Sequence, residues 1–147
     1  MKPRPSLLVI EEDCLLLMRY NYNGRRVYGI PGGNPDEGES LQDALIRELR
    51  EELQVAVQPG DMIFSAETVR PGKPDAHVLH CLFEGKILEG RPALDPAETT
   101  AAAIEWIPVR ELETLHLYPH LGKAIAQWHR EQLPHKTYLG AILQPWA

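Results

Sequence analysis

Leu41, Leu45, Leu49 and Leu53 recur every four residues, a spacing that only a helix turns into one continuous apolar stripe. Glu48, Glu51 and Glu52 lie on the same stretch. With Glu48 as reference and about 100° per residue, Glu52 falls near about +40° and Glu51 near about −60°. Three carboxylates therefore crowd one arc, with small Ala44 beside them. Like charges at these spacings cost a helix a few tenths of a kcal/mol per pair, and a divalent cation is the evident reason to keep them. The leucine stripe runs alongside this arc, so one shoulder of the helix packs while the next faces a cleft. Ser40 is placed to cap the first turn, with Asp43 where a capping box has its acid. Ahead of the helix come the turn Pro31-Gly32-Gly33 and the loop Asn34 to Gly38.

The rest of the chain alternates strand-length apolar runs with turn signals. Ser6 to Ile10 and Cys14 to Tyr20 read as strands separated by Glu11-Glu12-Asp13. Asn23-Gly24 is a strong hairpin signal, and Arg25 to Ile30 is the returning strand. The helix should end near Leu53. Val55 and Val57 begin an extended segment that Pro59-Gly60 turns. Met62 to Val69 and His77 to Leu88 are expected as strands, the second bent or interrupted at Glu84-Gly85, with the loop Arg70 to Asp75 between them. After the loop Gly90 to Thr100 come a strand, Ala103 to Ile107, a helical turn, Pro108 to Leu115, and a helix from about His120 to Gln132 that buries Leu121, Ile125 and Trp128. This order predicts an α/β chain, a mixed sheet packed between helices, forming a single domain over 1–147. The apolar tail 134–147, with Tyr138, Leu139, Ile142, Leu143 and Trp146, either packs back on the domain or meets a partner subunit in a homodimer. The sequence leaves both open.

Composition narrows the function classes. A net charge of −6 argues against a nucleic-acid coat or a binder of anionic membranes, but not against a small phosphorylated substrate met through a bound metal. Cys14 and Cys81 sit in apolar runs without metal-ligand spacing and read as buried thiols in a reducing compartment. Glu11, Glu12 and Asp13 cut the first apolar run short. Neither a signal peptide nor a membrane span is expected, and a soluble, cytoplasmic protein is.

The stretch Gly33 to Val55 resembles the Nudix box. Gly33, Glu39, Arg47-Glu48, Leu49, Glu51-Glu52, Leu53 and Val55 occupy its defined positions, and Gln54 replaces its usual glycine. Tyr28-Gly29-Ile30-Pro31-Gly32-Gly33 is similar to the family's approach to the box. The resemblance implies a Nudix-type α/β/α sandwich and hydrolysis of a nucleoside diphosphate linked to another group, with Mg²⁺ or Mn²⁺. It makes Glu48, Glu51 and Glu52 metal ligands, with the Gly32 carbonyl as a further ligand, and gives Arg47 the task of positioning a glutamate by a salt bridge. Glu39 is a partly structural member. The general base is either a box glutamate, Glu48 or Glu51, or Glu98 from the later loop. Many relatives carry a glutamate at the position of Ala103, three residues before Trp106. Glu105, next to Trp106, should point to the opposite face.

The resemblance also bears on substrate. Pro71 lies sixteen residues beyond Val55, where the ADP-ribose pyrophosphatase subgroup has a proline, although Arg70 stands where fuller versions have serine. Arg19, Arg25 and Arg26 are candidates for phosphate or ribose contacts, and Tyr20, Tyr22 and Tyr28 for stacking on a base. Packing is the alternative for Tyr20, Tyr22 and Tyr28. The expected activity is hydrolysis of ADP-ribose or a related nucleotide sugar. The alternatives are removal of nucleoside triphosphates and a non-catalytic nucleotide-binding regulator.

Overall fold

The computed structural model describes residues 1–132, 137–142 and 144. Its strands are β1 (Lys2–Glu11), β2 (Cys14–Tyr22), β3 (Arg25–Gly29), β4 (Ala56–Thr68), β5 (Val78–Glu89), β6 (Ala103–Pro108), β7 (Leu117–Tyr118) and β8 (Tyr138–Ala141). The two α-helices are α1 (Leu41–Leu53) and α2 (Gly122–Glu131). The strands form one mixed sheet in the order β7-β3-β2-β1-β5-β4-β8, with β6 added alongside β2.

Period-two alternation in β1 and β2 explains why this sheet sits between helices. Leu7, Val9, Leu16 and Met18 face one way and pack with Leu45, Leu49 and Leu53 of α1. Leu8, Leu15 and Leu17 face the other way, into a second core that includes Leu121 and Ile125 from the α2 region. Both faces of these strands are buried, which produces their unbroken apolar runs. The result is the expected α/β/α sandwich.

A seam divides the sheet. β1 pairs with β2 only at the hairpin, through Ile10↔Leu15 and Glu11↔Cys14, and then runs parallel to β5 from Lys2↔Val78 to Val9↔Gly85. It meets the end of the second hairpin again where Ser6 bridges Gly32. β1 begins four residues before the expected start, despite Pro3 and Pro5. Backbone donors alternate sides along a strand: the Lys2 N–H points to His77 beside β5, and the Leu7 N–H to Pro31 across the seam. Pro3 and Pro5 share the register of Leu7, so their missing N–H groups cost the β5 ladder nothing.

Three other sequence expectations are corrected. Pro59-Gly60 makes no turn; it lies inside the thirteen-residue β4, where the ladder shifts register between Pro59 and Met62. A bulge tolerates a residue without a donor. β5 continues through Glu84-Gly85, where a Cβ on Gly85 would come within 2.5 Å of Leu7 Cδ1. The glycine there makes room for a core leucine and does not break the strand. α2 starts at Gly122, two residues later than expected.

The described part of the tail folds back on the chain. β8 runs parallel to β4 through Ser65↔Tyr138 and Glu67↔Ala141, and the Tyr138 hydroxyl donates to Glu67. Leu143, Trp146 and the segment 133–136 lie outside the described residues. No helix among the described residues is long and apolar enough to cross a membrane.

Candidate active site

The acidic helix is fixed at both ends. Ser40 has extended backbone angles, and its hydroxyl accepts from the Asp43 N–H at 3.0 Å, closing the first turn. At the other end Gln54 adopts the left-handed conformation, φ 57° and ψ 37°, which explains the family's glycine there. Gln54 offsets the strain with its side chain: Nε2 donates to the Ala93 carbonyl at 3.2 Å and to the Leu94 carbonyl at 3.3 Å. The same loop caps the helix, since the Ala93 N–H donates to Leu53 and the Asp95 N–H to Glu52. Glu98, an exposed residue of that loop, is thereby held near Glu52.

Gly32 and Gly33 are required by close approach. A Cβ on Gly32 would lie 2.1 Å from the Pro5 carbonyl oxygen, and one on Gly33 would lie 2.4 Å from Glu48 Cδ. The glycine turn is thus seated against β1 on one side and against a glutamate of α1 on the other.

Arg47 organises the carboxylates. Its guanidinium holds Glu39 by a fork, Nε to Oε2 at 2.8 Å and Nη2 to Oε1 at 2.9 Å. Nη1 reaches Glu48 at 3.0 Å and Glu51 at 3.2 Å, and Nη2 also donates to the Asn34 carbonyl. Arg47, with help from the Asp36 N–H, holds the Glu39 carboxyl below the usual range. Burial raises Glu48 in spite of Arg47. Glu52 has no cationic partner within ion-pair distance among the described residues. Burial, followed by repulsion from Glu48, pushes its carboxyl up to about 7, with Glu51 and Glu98 adding to the effect and Arg4 opposing it.

Among the described residues no three His, Cys, Asp or Glu side chains converge into a closed metal cage. The donors nonetheless fit a hard divalent cation. Glu48 and Glu52 offer carboxylate oxygens whose charged forms are disfavoured by burial and by a neighbouring carboxylate, Glu51 for Glu48 and Glu48 for Glu52, and a cation beside them would reverse both. Glu51 is half-tied to Arg47 and more exposed.

Glu52 and Gly32 line one cleft of about 370 Å³, together with Arg4, Tyr20, Tyr22 and Tyr118. Burial raises the Tyr20 phenol, against an opposing contribution from Thr99 of the Glu98 loop. Arg70 and Tyr118 also line an adjoining cavity of about 730 Å³, and Pro71 belongs to that second space.

The other sequence candidates lie elsewhere. Tyr28 is buried in the core with Leu8 and Leu117 and is absent from the cleft wall. Arg19 Nε lies 2.8 Å from Glu105 Oε2; the N–H points off the carboxylate and makes no hydrogen bond. Arg25 is exposed at the start of β3 and does not line the cleft. Strand alternation carries the signal that separates these residues: Met18, Tyr20 and Tyr22 share the cleft side of β2, and Val27 and Gly29 that of β3. Of the three tyrosines considered for stacking, Tyr20 and Tyr22 line the cleft and Tyr28 does not. Arg4 and Tyr118 had no local signal, since they meet only when β1 and β7 are assembled.

A split mixed sheet between two helices carries an arginine-bound set of glutamates beside a cleft. The NUDIX domain model matches residues 2–133, and the chain belongs to the Nudix hydrolase family, whose members generally use divalent metal ions. It is 30% identical over 126 residues to an NAD-capped RNA hydrolase, NudC, of Pseudomonas putida (strain GB-1), a match that covers 86% of this chain and 42% of that protein. The chain thus spans less than half the length of that relative. Among solved structures, a MutT protein from Methanosarcina mazei superposes with a TM-score of 0.71 at 20% identity, covering 89% of this chain and 94% of that one. An ADP-ribose pyrophosphatase from Streptococcus suis superposes with a TM-score of 0.68 at 19% identity, covering 93% and 97%. At these identities the two structures speak for the fold alone.

Proposed function

We propose that the chain hydrolyses the pyrophosphate bond of a nucleoside diphosphate derivative, with ADP-ribose or a related nucleotide sugar as substrate. The observation that carries this reading is the unpaired Glu52, raised to about 7 and set beside Glu48 at the wall of a tyrosine-lined cleft. Glu48 and Glu52, with the Gly32 carbonyl on the same wall, would hold Mg²⁺ or Mn²⁺. Such an ion neutralises pyrophosphate oxygens and acidifies water.

The protein's own part is orientation. Arg47 locks Glu48 and Glu51 to one side of the helix and leaves Glu52 free for the cleft. Tyr20 and Tyr22 offer aromatic faces for a base, and the Asp95 N–H, donating to Glu52, fastens the loop that carries Glu98 to α1. Glu98 is the candidate proton acceptor from outside the box, with a box glutamate, Glu48 or Glu51, as the other. The second cavity, with Pro71 at its wall, gives room for a group beyond the pyrophosphate. That extra space favours a two-ended substrate over a nucleoside triphosphate.

The test is a product-resolved screen with Mg²⁺ and Mn²⁺ over ADP-ribose, nucleotide sugars, NAD and nucleoside triphosphates. ADP-ribose should give AMP and ribose phosphate. Turnover confined to triphosphates, releasing pyrophosphate, would replace the substrate assignment. Nucleotide binding without any turnover would point to a regulator.

A further inference from the structure

Arg4 is a cation of the cleft wall that forms no ion pair with a carboxylate among the described residues. It lies on β1 at the seam and lines the cleft with Glu52 and Gly32. Two neutral groups fix its direction. Nη1 donates to the fully buried Ser6 hydroxyl at 2.8 Å, and the guanidinium carbon sits 5.2 Å from the centre of the Tyr118 ring. In lacking an ion pair it differs from Arg47, whose donors are taken by glutamates, and from Arg19, which lies against Glu105.

An arginine has five N–H donors in a planar fork. Ser6 takes one, and the ring of Tyr118 holds the plane without consuming any. A guanidinium fixed in this way at a cleft wall is matched to a planar pair of anionic oxygens, which phosphate supplies. Glu52 lines the same cleft, with Glu48 close enough to repel it, and these carboxylates repel phosphate unless a cation intervenes. A pyrophosphate in the cleft thus needs positive charge from the seam side as well as from the helix side.

We propose that Arg4 is a substrate-binding residue that clamps a phosphate group of the nucleotide from β1, with Tyr118 as its positioning residue. This rests on the pyrophosphohydrolase reading above. The competing role is that of a counter-ion that only relieves repulsion between Glu48 and Glu52, and the two roles differ in what they do to nucleotide and to metal.

The experiment compares wild type, Arg4→Gln and Arg4→Lys by metal-free calorimetric titration with ADP, by Mn²⁺ titration followed by electron paramagnetic resonance, and by thermal unfolding. Loss of charge-assisted bonds to phosphate should weaken ADP binding by about 10- to 100-fold in Arg4→Gln. Arg4→Lys should fall between, because it keeps the charge and loses the fork. Mn²⁺ affinity should be unchanged or tighter, and the unfolding midpoint should hold in Arg4→Lys. ADP affinity within about twofold of wild type in Arg4→Gln, or no ADP binding by wild type, would overturn the assignment. An ADP difference in a protein that hydrolyses no nucleotide would retain Arg4 and discard the hydrolase reading instead.

Discussion

Glu52→Gln should make the metal-free protein more stable at pH 8 while abolishing metal-dependent turnover. The sign follows from the raised carboxyl. At pH values below the ordinary glutamate value of 4.5, Glu52 is protonated in both folded and unfolded chains and contributes nothing. Above 4.5 the unfolded chain ionises while the folded one keeps its proton, so stability falls until the pH passes about 7 and then stays level. That gap corresponds to at most about 3 kcal/mol at pH 8. Because the side chain is not fully sealed from water, about 1–3 kcal/mol is the working range, or roughly 3–10 °C in unfolding midpoint for a chain of this size. Thermal unfolding in chelator at pH 5 and pH 8 measures it. The gain from Glu52→Gln should be clear at pH 8 and small at pH 5. Mn²⁺ should then raise the wild-type midpoint and barely move that of the variant. A variant no more stable than wild type at pH 8, or one that Mn²⁺ stabilises equally, would refute the reasoning.

Three other substitutions separate the parts of the site. Arg47→Lys keeps the charge but cannot fork onto Glu39 while reaching Glu48 and Glu51; kcat on the substrate found by the screen should fall about 10- to 100-fold with an unchanged circular dichroism spectrum. Gly32→Ala and Gly33→Ala should part company. The first drives a Cβ into the Pro5 backbone and should cost about 2–4 kcal/mol in urea unfolding, whereas the second displaces the Glu48 side chain and should spare the fold but cut activity at least about tenfold. Gln54→Ala keeps the left-handed strain and loses both side-chain hydrogen bonds, at a cost of about 1–2 kcal/mol, while Gln54→Gly should come within about 1 kcal/mol of wild type by the same measurement.

What the sequence made legible was what repeats locally. The leucine stripe and the glutamate arc located α1 and the carboxylate cluster on it, because both follow from the geometry of a single helix. The asparagine-glycine hairpin and the apolar runs located β1, β2 and β3 for the same reason. Pro59-Gly60 misled because a bulge inside a long strand uses the same residues as a turn, and only the pairing partner, β5, distinguishes them. β7 is two residues long and exists through its pairing with Tyr28 and Gly29, so no periodicity could reveal it. Tyr28 is an aromatic candidate for stacking in the sequence, yet strand alternation turns it into the core. The cleft wall that Arg4, Tyr118 and Arg70 complete is assembled from segments far apart in the chain, and its chemistry is invisible until they meet.

Pro3 and Pro5 have a consequence beyond tolerance. They make β1 a strand with donors on one side only over its first turn into the sheet, since the positions that would offer N–H groups across the seam have none. A hairpin strand cannot zip along that margin. The margin on which the glycine turn is seated is therefore kept from healing into continuous sheet by two prolines. Replacing them with ordinary strand formers would supply the missing donors and give the sheet a way to close over its own site.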